Sequence, residues 1–144
     1  ATTVRGKVGT MRHIAIPSAI LAAVLLVGAA ARGDEIAATG SFYGASGHSS
    51  RGEAALVRKP DGGSELRLEN FSADRGPDLF IILSTATRPR DGGAIKRSEH
   101  VLLGRLGSGA YALPKGVDAG KFNSVGVWCR QYSVLFGAAP LNRK

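Results

Sequence analysis

The chain has 144 residues, 44% of them hydrophobic and 21% charged, a balance that excludes general disorder and leaves room for one ordinary domain beside a targeting segment. Its formal charge of +8 is scattered, with no stripe of interleaved basic and aromatic residues, which argues against a nucleic-acid interface. One cysteine in the whole chain excludes an internal disulfide framework.

Residues Ile14 to Ala31, "IAIPSAILAAVLLVGAAA", are uncharged and mostly apolar, with Arg5, Lys7 and Arg12 before them and "RGDE" after. Pro17 and Ser18 interrupt the start, so the continuous part, Ala19 to Ala31, matches a signal-peptide core and is short for a bilayer span of about 20 residues. Ala29 and Ala31 supply a small-x-small end, which predicts cleavage after Ala31, with an uncleaved anchor as the alternative. Charges ahead of the apolar run predict that everything beyond it is exported, to the periplasm or the extracellular space, with membrane contact only through the N-terminus if it is retained. Met11 is the expected translation start. The predicted organisation is an N-terminal extension and signal peptide or anchor over 1–31, a linker over 32–39, a β domain over 40–141 and a tail over 142–144.

Beyond Ala37 short apolar runs alternate with turn residues, and no helical periodicity persists, which predicts an all-β antiparallel sandwich or barrel-like domain after the apolar targeting helix. The expected strands are Ala38–Tyr43, Gly52–Arg58, Ser64–Phe71, Leu79–Ser84, Val101–Leu106, Ala110–Leu113, Ser124–Arg130 and Ser133–Phe136. "ELRLE" alternates, placing Leu66 and Leu68 on the core face. "LFIIL", Leu79 to Leu83, is apolar throughout, as a central strand covered on both faces would be. "RKPDGG" predicts a hairpin turn at Asp61-Gly62 between two antiparallel strands. "TRPRDGGAIKR", Thr87 to Arg97, reads as a mobile surface loop too polar for a core. "LPKGVDAGKFN", Leu113 to Asn123, is a second long connection.

Residues able to do chemistry are few. His48 and His100 belong to no metal-ligand spacing, and "GRLGSG", Gly104 to Gly109, lacks the order and context of a nucleotide-binding loop. No third residue or oxyanion motif accompanies a Cys129–histidine pair, so an enzyme with its own substrate has no supporting constellation. Strand alternation puts Val125, Val127 and Cys129 on one face and Trp128 and Arg130 on the other. Two valine neighbours point the thiol inward, as a packed core residue. Asp78, after Gly-Pro, is expected to close a turn on a nearby backbone N–H. Asn70 and Phe71 are expected to be structural as well.

Three blocks, "GSFYGASGHSSRGEAAL", "SELRLENFSADRGPDLFIILS" and "VDAGKFNSVGVWCRQYSVLFGAAPL", resemble the DM-thirteen domain, a module that animal proteins carry beside DOMON domains and that stands alone in many bacterial exported proteins. The resemblance covers about Gly40 to Leu141. Its most specific parts are Gly76-Pro77-Asp78-Leu79 and Ser124-Val125 through Trp128-Cys129-Arg130, followed by Phe136-Gly137; His48 and Gly52 match its first block. The resemblance implies a β-sandwich-like domain with a role in electron transfer, and a cysteine, at Cys129, serving as redox thiol or as ligand to a group such as haem. His48, Asp78 and Trp128 are then its candidate neighbours, no metal is specified, and a redox partner protein is required.

Two functions follow. The first is an extracytoplasmic domain with a redox role centred on Cys129. The alternative is a non-catalytic exported binding module in which Cys129 is core and the loops Thr87–Arg97 and Leu113–Asn123 meet a partner.

Overall fold

The computed structural model describes Gly9, residues 33–107 and residues 109–144. The expected targeting segment therefore lies outside the described residues. Among those that are described, no helix is long and apolar enough to cross a membrane.

Among the described residues, ten strands, one short α-helix and one 3-10 turn run in the order β1 (Glu35–Ser41), β2 (Tyr43–Gly44), β3 (Ser50–Arg58), β4 (Ser64–Ala73), β5 (Leu79–Ser84), α1 (Gly92–Lys96), β6 (His100–Arg105), β7 (Ala110–Ala112), the 3-10 turn (Ala119–Lys121), β8 (Ser124–Cys129), β9 (Val134–Pro140) and β10 (Asn142–Arg143). They form two five-stranded sheets, ordered β10-β1-β3-β4-β7 and β2-β9-β8-β5-β6. Every pairing is antiparallel. The fold is an all-β sandwich, as expected.

Local sequence explains most of the elements. Arg58 faces Ser64 across the β3–β4 hairpin, and its turn closes with Gly62 at φ 86° and the Gly63 amide on the Asp61 carboxylate at 2.8 Å. Leu66 and Leu68 of β4 enter the inter-sheet core, while their charged neighbours stay outside. In β3 the register slips between Arg51 and Glu53. Gly52 absorbs that bulge at φ 116°, where a Cβ would lie 2.7 Å from both the Asn70 carbonyl oxygen and the Phe71 Cα. Its partner Asn70 is itself left-handed, at φ 49°, so Gly52 and Asn70 are structural halves of one bulge.

The second sheet is apolar on both faces. Leu79, Ile81, Leu83, Val125, Val127 and Cys129 face the first sheet and share one core cluster. Phe80, Ile82, Trp128, Leu135 and Ala138 face away and form a second cluster with Ile95 of α1. β5 is thus covered on both sides, as its unbroken apolar sequence predicts.

The cover on the outer side corrects the expectation for Thr87–Arg97. That segment is no mobile loop: Pro89 is buried, Ile95 is wholly buried, and Asp91 caps α1 by accepting from the Ala94 amide at 2.9 Å. Buried hydroxyls pin it as well. Ser84 Oγ accepts from the Ala86 amide at 3.0 Å and lies 2.7 Å from Ser98 Oγ, and Ser124 Oγ donates to the Ala86 carbonyl at 2.6 Å. A five-residue helix containing two glycines owes its existence to this packing and not to propensity.

Candidate functional site

Cys129 ends β8, paired with Leu79 of β5 on one side and Val134 of β9 on the other. It is 1% exposed. Its thiol donates to the Pro77 carbonyl at 3.1 Å, so the one polar group it brings into the core is satisfied. The inward thiol expected from strand alternation is what the structure contains.

Pro77 belongs to the Gly76-Pro77-Asp78 turn, and that turn grips the end of β8 in three ways. Besides the thiol contact, the Arg130 amide donates to the Asp78 carbonyl at 3.1 Å. The Arg130 guanidinium then binds the Asp78 carboxylate through Nε at 3.1 Å and Nη2 at 3.2 Å, a fork that fits a carboxylate. Arg105, at the end of β6, adds a third ion-pair contact to the same carboxylate at 3.2 Å. Asp78 is held at φ 57°, a conformation Asp tolerates better than most residues. The expected bond from its carboxylate to a backbone N–H gives way to two arginines; its structural use as a turn residue stands.

Gly76 performs a separate task. A Cβ there would lie 2.6 Å from Phe136 Cζ, so the glycine lets the Phe136 ring pass close to the turn. On that ring lies His48, stacked at 3.6 Å between centroids and 5° between planes. The His48 Nδ1 stands 3.5 Å from the Asp74 carboxylate, which also accepts from the Ser49 amide at 2.9 Å. His48, Phe136, the Gly76–Pro77 backbone and the Cys129 sulfur therefore follow one another in contact from the surface inward. Gly76–Asp78, Cys129–Arg130, Phe136 and His48, distant in sequence, meet at one end of the sandwich. The contacts of Phe136, Arg105 and Phe80 at this end were beyond sequence reasoning, because stacking partners and cross-strand neighbours carry no local spacing signal.

Trp128 lies on the other side of β8. It is 5% exposed in the outer cluster, beneath α1, where a side chain on Gly92 would strike the Ser133 carbonyl and approach the Trp128 ring. Its indole and the sulfur of Cys129 are thus separated by the sheet. Beside it Phe80 carries two guanidinium groups over its ring, Arg130 at 4.4 Å and Arg105 at 4.9 Å. Tyr43, packed against the same cluster, donates its hydroxyl to the Pro89 carbonyl. Burial raises the Tyr43 pKa above the ordinary phenol value, with Arg88 and Arg90 opposing that rise.

His100 opens β6, exposed, with Nδ1 3.3 Å from the Ser98 carbonyl oxygen and its ring 6.3 Å from that of Trp128. Among the described residues no group of three or more His, Cys, Asp or Glu side chains is placed to hold a metal ion.

A haem at Cys129, which the sequence resemblance implies, does not fit the residues present. A thiolate ligand needs its sulfur free to face an iron across an open apolar space. Here the sulfur is enclosed between two sheets and engaged with the Pro77 carbonyl.

The fold and this end of it define a two-sheet antiparallel sandwich whose sequence motifs latch a buried thiol. The family model described as electron transfer DM13 matches residues 41–141, and the chain belongs to that family. No curated protein and no solved structure matches it.

Proposed function

We propose that this chain is an exported, non-enzymatic member of the electron transfer DM13 family, one that serves electron transfer by holding a redox partner in place and not by cycling a thiol of its own. The observation that carries this reading is the burial of Cys129, 1% exposed with its S–H given to the Pro77 carbonyl. Thiol exchange proceeds through an accessible thiolate, and Cys129 offers neither accessibility nor a cationic partner at the sulfur. Arg130, next in sequence, is turned to Asp78. A hidden thiol also suits export, because an exposed lone cysteine would soon be oxidised or paired in an oxidising compartment. The apolar run Ile14 to Ala31 supports export to the periplasm or the extracellular space, either cleaved or kept as an anchor.

A second reading, a redox centre at Cys129, is favoured by one observation, the contact path from His48 through Phe136 and the Gly76–Pro77 backbone to the sulfur. The absorption spectrum of the natively purified exported protein separates the two. The first reading predicts no visible band and an unchanged spectrum for Cys129→Ala. A visible band lost in Cys129→Ala would overturn it in favour of the second.

A further inference from the structure

Charge is distributed unequally between the two outer surfaces of the sandwich. The layer covering the outer cluster of the second sheet carries Arg88, Arg90, Lys96, Arg97, Arg105 and Arg130 against two carboxylates, Asp78 and Asp91. Asp78 is shared by Arg105 and Arg130, and Asp91 is occupied at the N-terminus of α1. Glu99, just beyond α1, is taken by Lys121 at 2.6 Å. Among the described residues Arg88, Arg90, Lys96 and Arg97 have no carboxylate within ion-pair distance. Across the sandwich, the first sheet with its β3–β4 turn is close to neutral, with Asp34, Glu35, Glu53, Asp61, Glu65 and Glu69 set against Arg51, Arg58, Lys59, Arg67, Arg143 and Lys144. There Asp34 and Glu65 both bind Arg67, Lys59 adds a contact to Glu65 at 3.7 Å, Glu35 faces Arg58, and Glu53, Asp61 and Glu69 form no ion pair among the described residues.

The six cations share one layer. Arg105 and Arg130 lie over Phe80 of the outer cluster, and Arg88 lies over Tyr43, 5.2 Å from its centroid. Lys96 and Arg97 are exposed where α1 ends, next to Ile95, which is buried in that cluster. At the margin, between Arg130 and Ser133, stands Tyr132, 65% exposed. The turn that carries it abuts α1 through Ser133 and Gly92.

We propose that this face docks the acidic surface of a protein, the redox partner that the reading above requires and on which this inference rests. The choice of a protein over an anionic membrane follows from composition. Five of the six cations are arginine, and the exposed aromatic is tyrosine, the residue types enriched at the centre of protein interfaces, where lysine is depleted. Membrane-surface faces instead combine lysine or arginine with inserted Trp, Phe or Leu, and no such side chain is exposed on this layer. Arginines already held by stacking and by Asp78 lose little freedom on binding.

The test compares two charge reversals of equal size in the full chain, Arg90→Glu with Arg97→Glu on the proposed face and Arg51→Glu with Arg58→Glu on the first sheet. Net charge changes identically, so any difference reports location. With poly-glutamate as the acidic polypeptide probe at low salt, the first pair is expected to weaken binding by about tenfold and the second by no more than about twofold. Tyr132→Ala is expected to weaken it further with no change in charge. Equal losses from both reversals would overturn the proposal, and so would tighter binding to phosphatidylserine vesicles than to poly-glutamate. A reactive native thiol would instead sink the reading of Cys129 while leaving the face-selective loss intact, so the two failures are distinguishable.

Discussion

The two faces of the second sheet are built from adjacent residues of the same strands and end up chemically opposite. Val125, Val127 and Cys129 of β8 turn to a core closed by the other sheet. Gly126, Trp128 and, just past the strand, Arg130 turn to a face covered by α1, its flanking loop and the Tyr43–Ala45 segment. The inner face hides the chain's one thiol and carries no charge. The outer face has a thinner cover, and its rim is arginine. A change of one position in the strand therefore separates a sulfur that nothing outside reaches from cations held for contact, and it is the outer side that has the means to meet another molecule.

Removing the anchor of the thin cover should have the largest effect. Trp128→Ala should cost about 4 kcal/mol, in the range for truncating a buried tryptophan, against about 1 kcal/mol for Cys129→Ala, both measured by urea unfolding. Equal costs would mean that the outer layer is ornamental. Next in size, Asp78→Asn removes the charge that holds Arg105 and Arg130 while keeping a residue that accepts φ 57°; a loss of about 1 kcal/mol is expected, since both arginines are more than half exposed. The smallest effect belongs to the first sheet. The hydrogen bond from the Arg67 side chain is the largest cause holding Glu65 below its ordinary 4.5 and Asp34 below 3.8. A depressed carboxylate stabilises the fold above its unfolded pKa, and that contribution is lost as pH falls through the folded value. The stability gap between the native chain and Arg67→Met should accordingly be widest near neutral pH and close below about pH 4.5; a gap that grows on acidification would reverse the sign.

Much of this was legible in the sequence. Alternation in "ELRLE" gave the inward leucines, an unbroken "LFIIL" gave a strand covered twice, and Asp61-Gly62 gave its hairpin. The inward thiol followed from two valines at the right parity. What escaped has physical causes. β2 and β10 are two residues each, too short for any period to register. β9 runs on to Pro140 through Gly137, Ala138 and Ala139, small residues of low strand propensity that are buried by their neighbours and not selected by their own preference. α1 begins with two glycines, and only the burial of Ile95 and the Asp91 cap make it a helix. At the candidate site the motif residues were recognisable, yet their mutual contacts were not: no spacing announces that Gly76 admits the ring of Phe136, or that Asp78 answers Arg105 from another strand.

The central claim, that Cys129 is a packing residue inside a module that acts through its surface, is tested most directly by the rate at which a thiol reagent modifies the natively folded, full chain, compared with the chain in denaturant. One thiol per chain should react promptly in denaturant, and in the native state only at the slow rate of structural opening. Prompt modification of Cys129 in the native protein would contradict it.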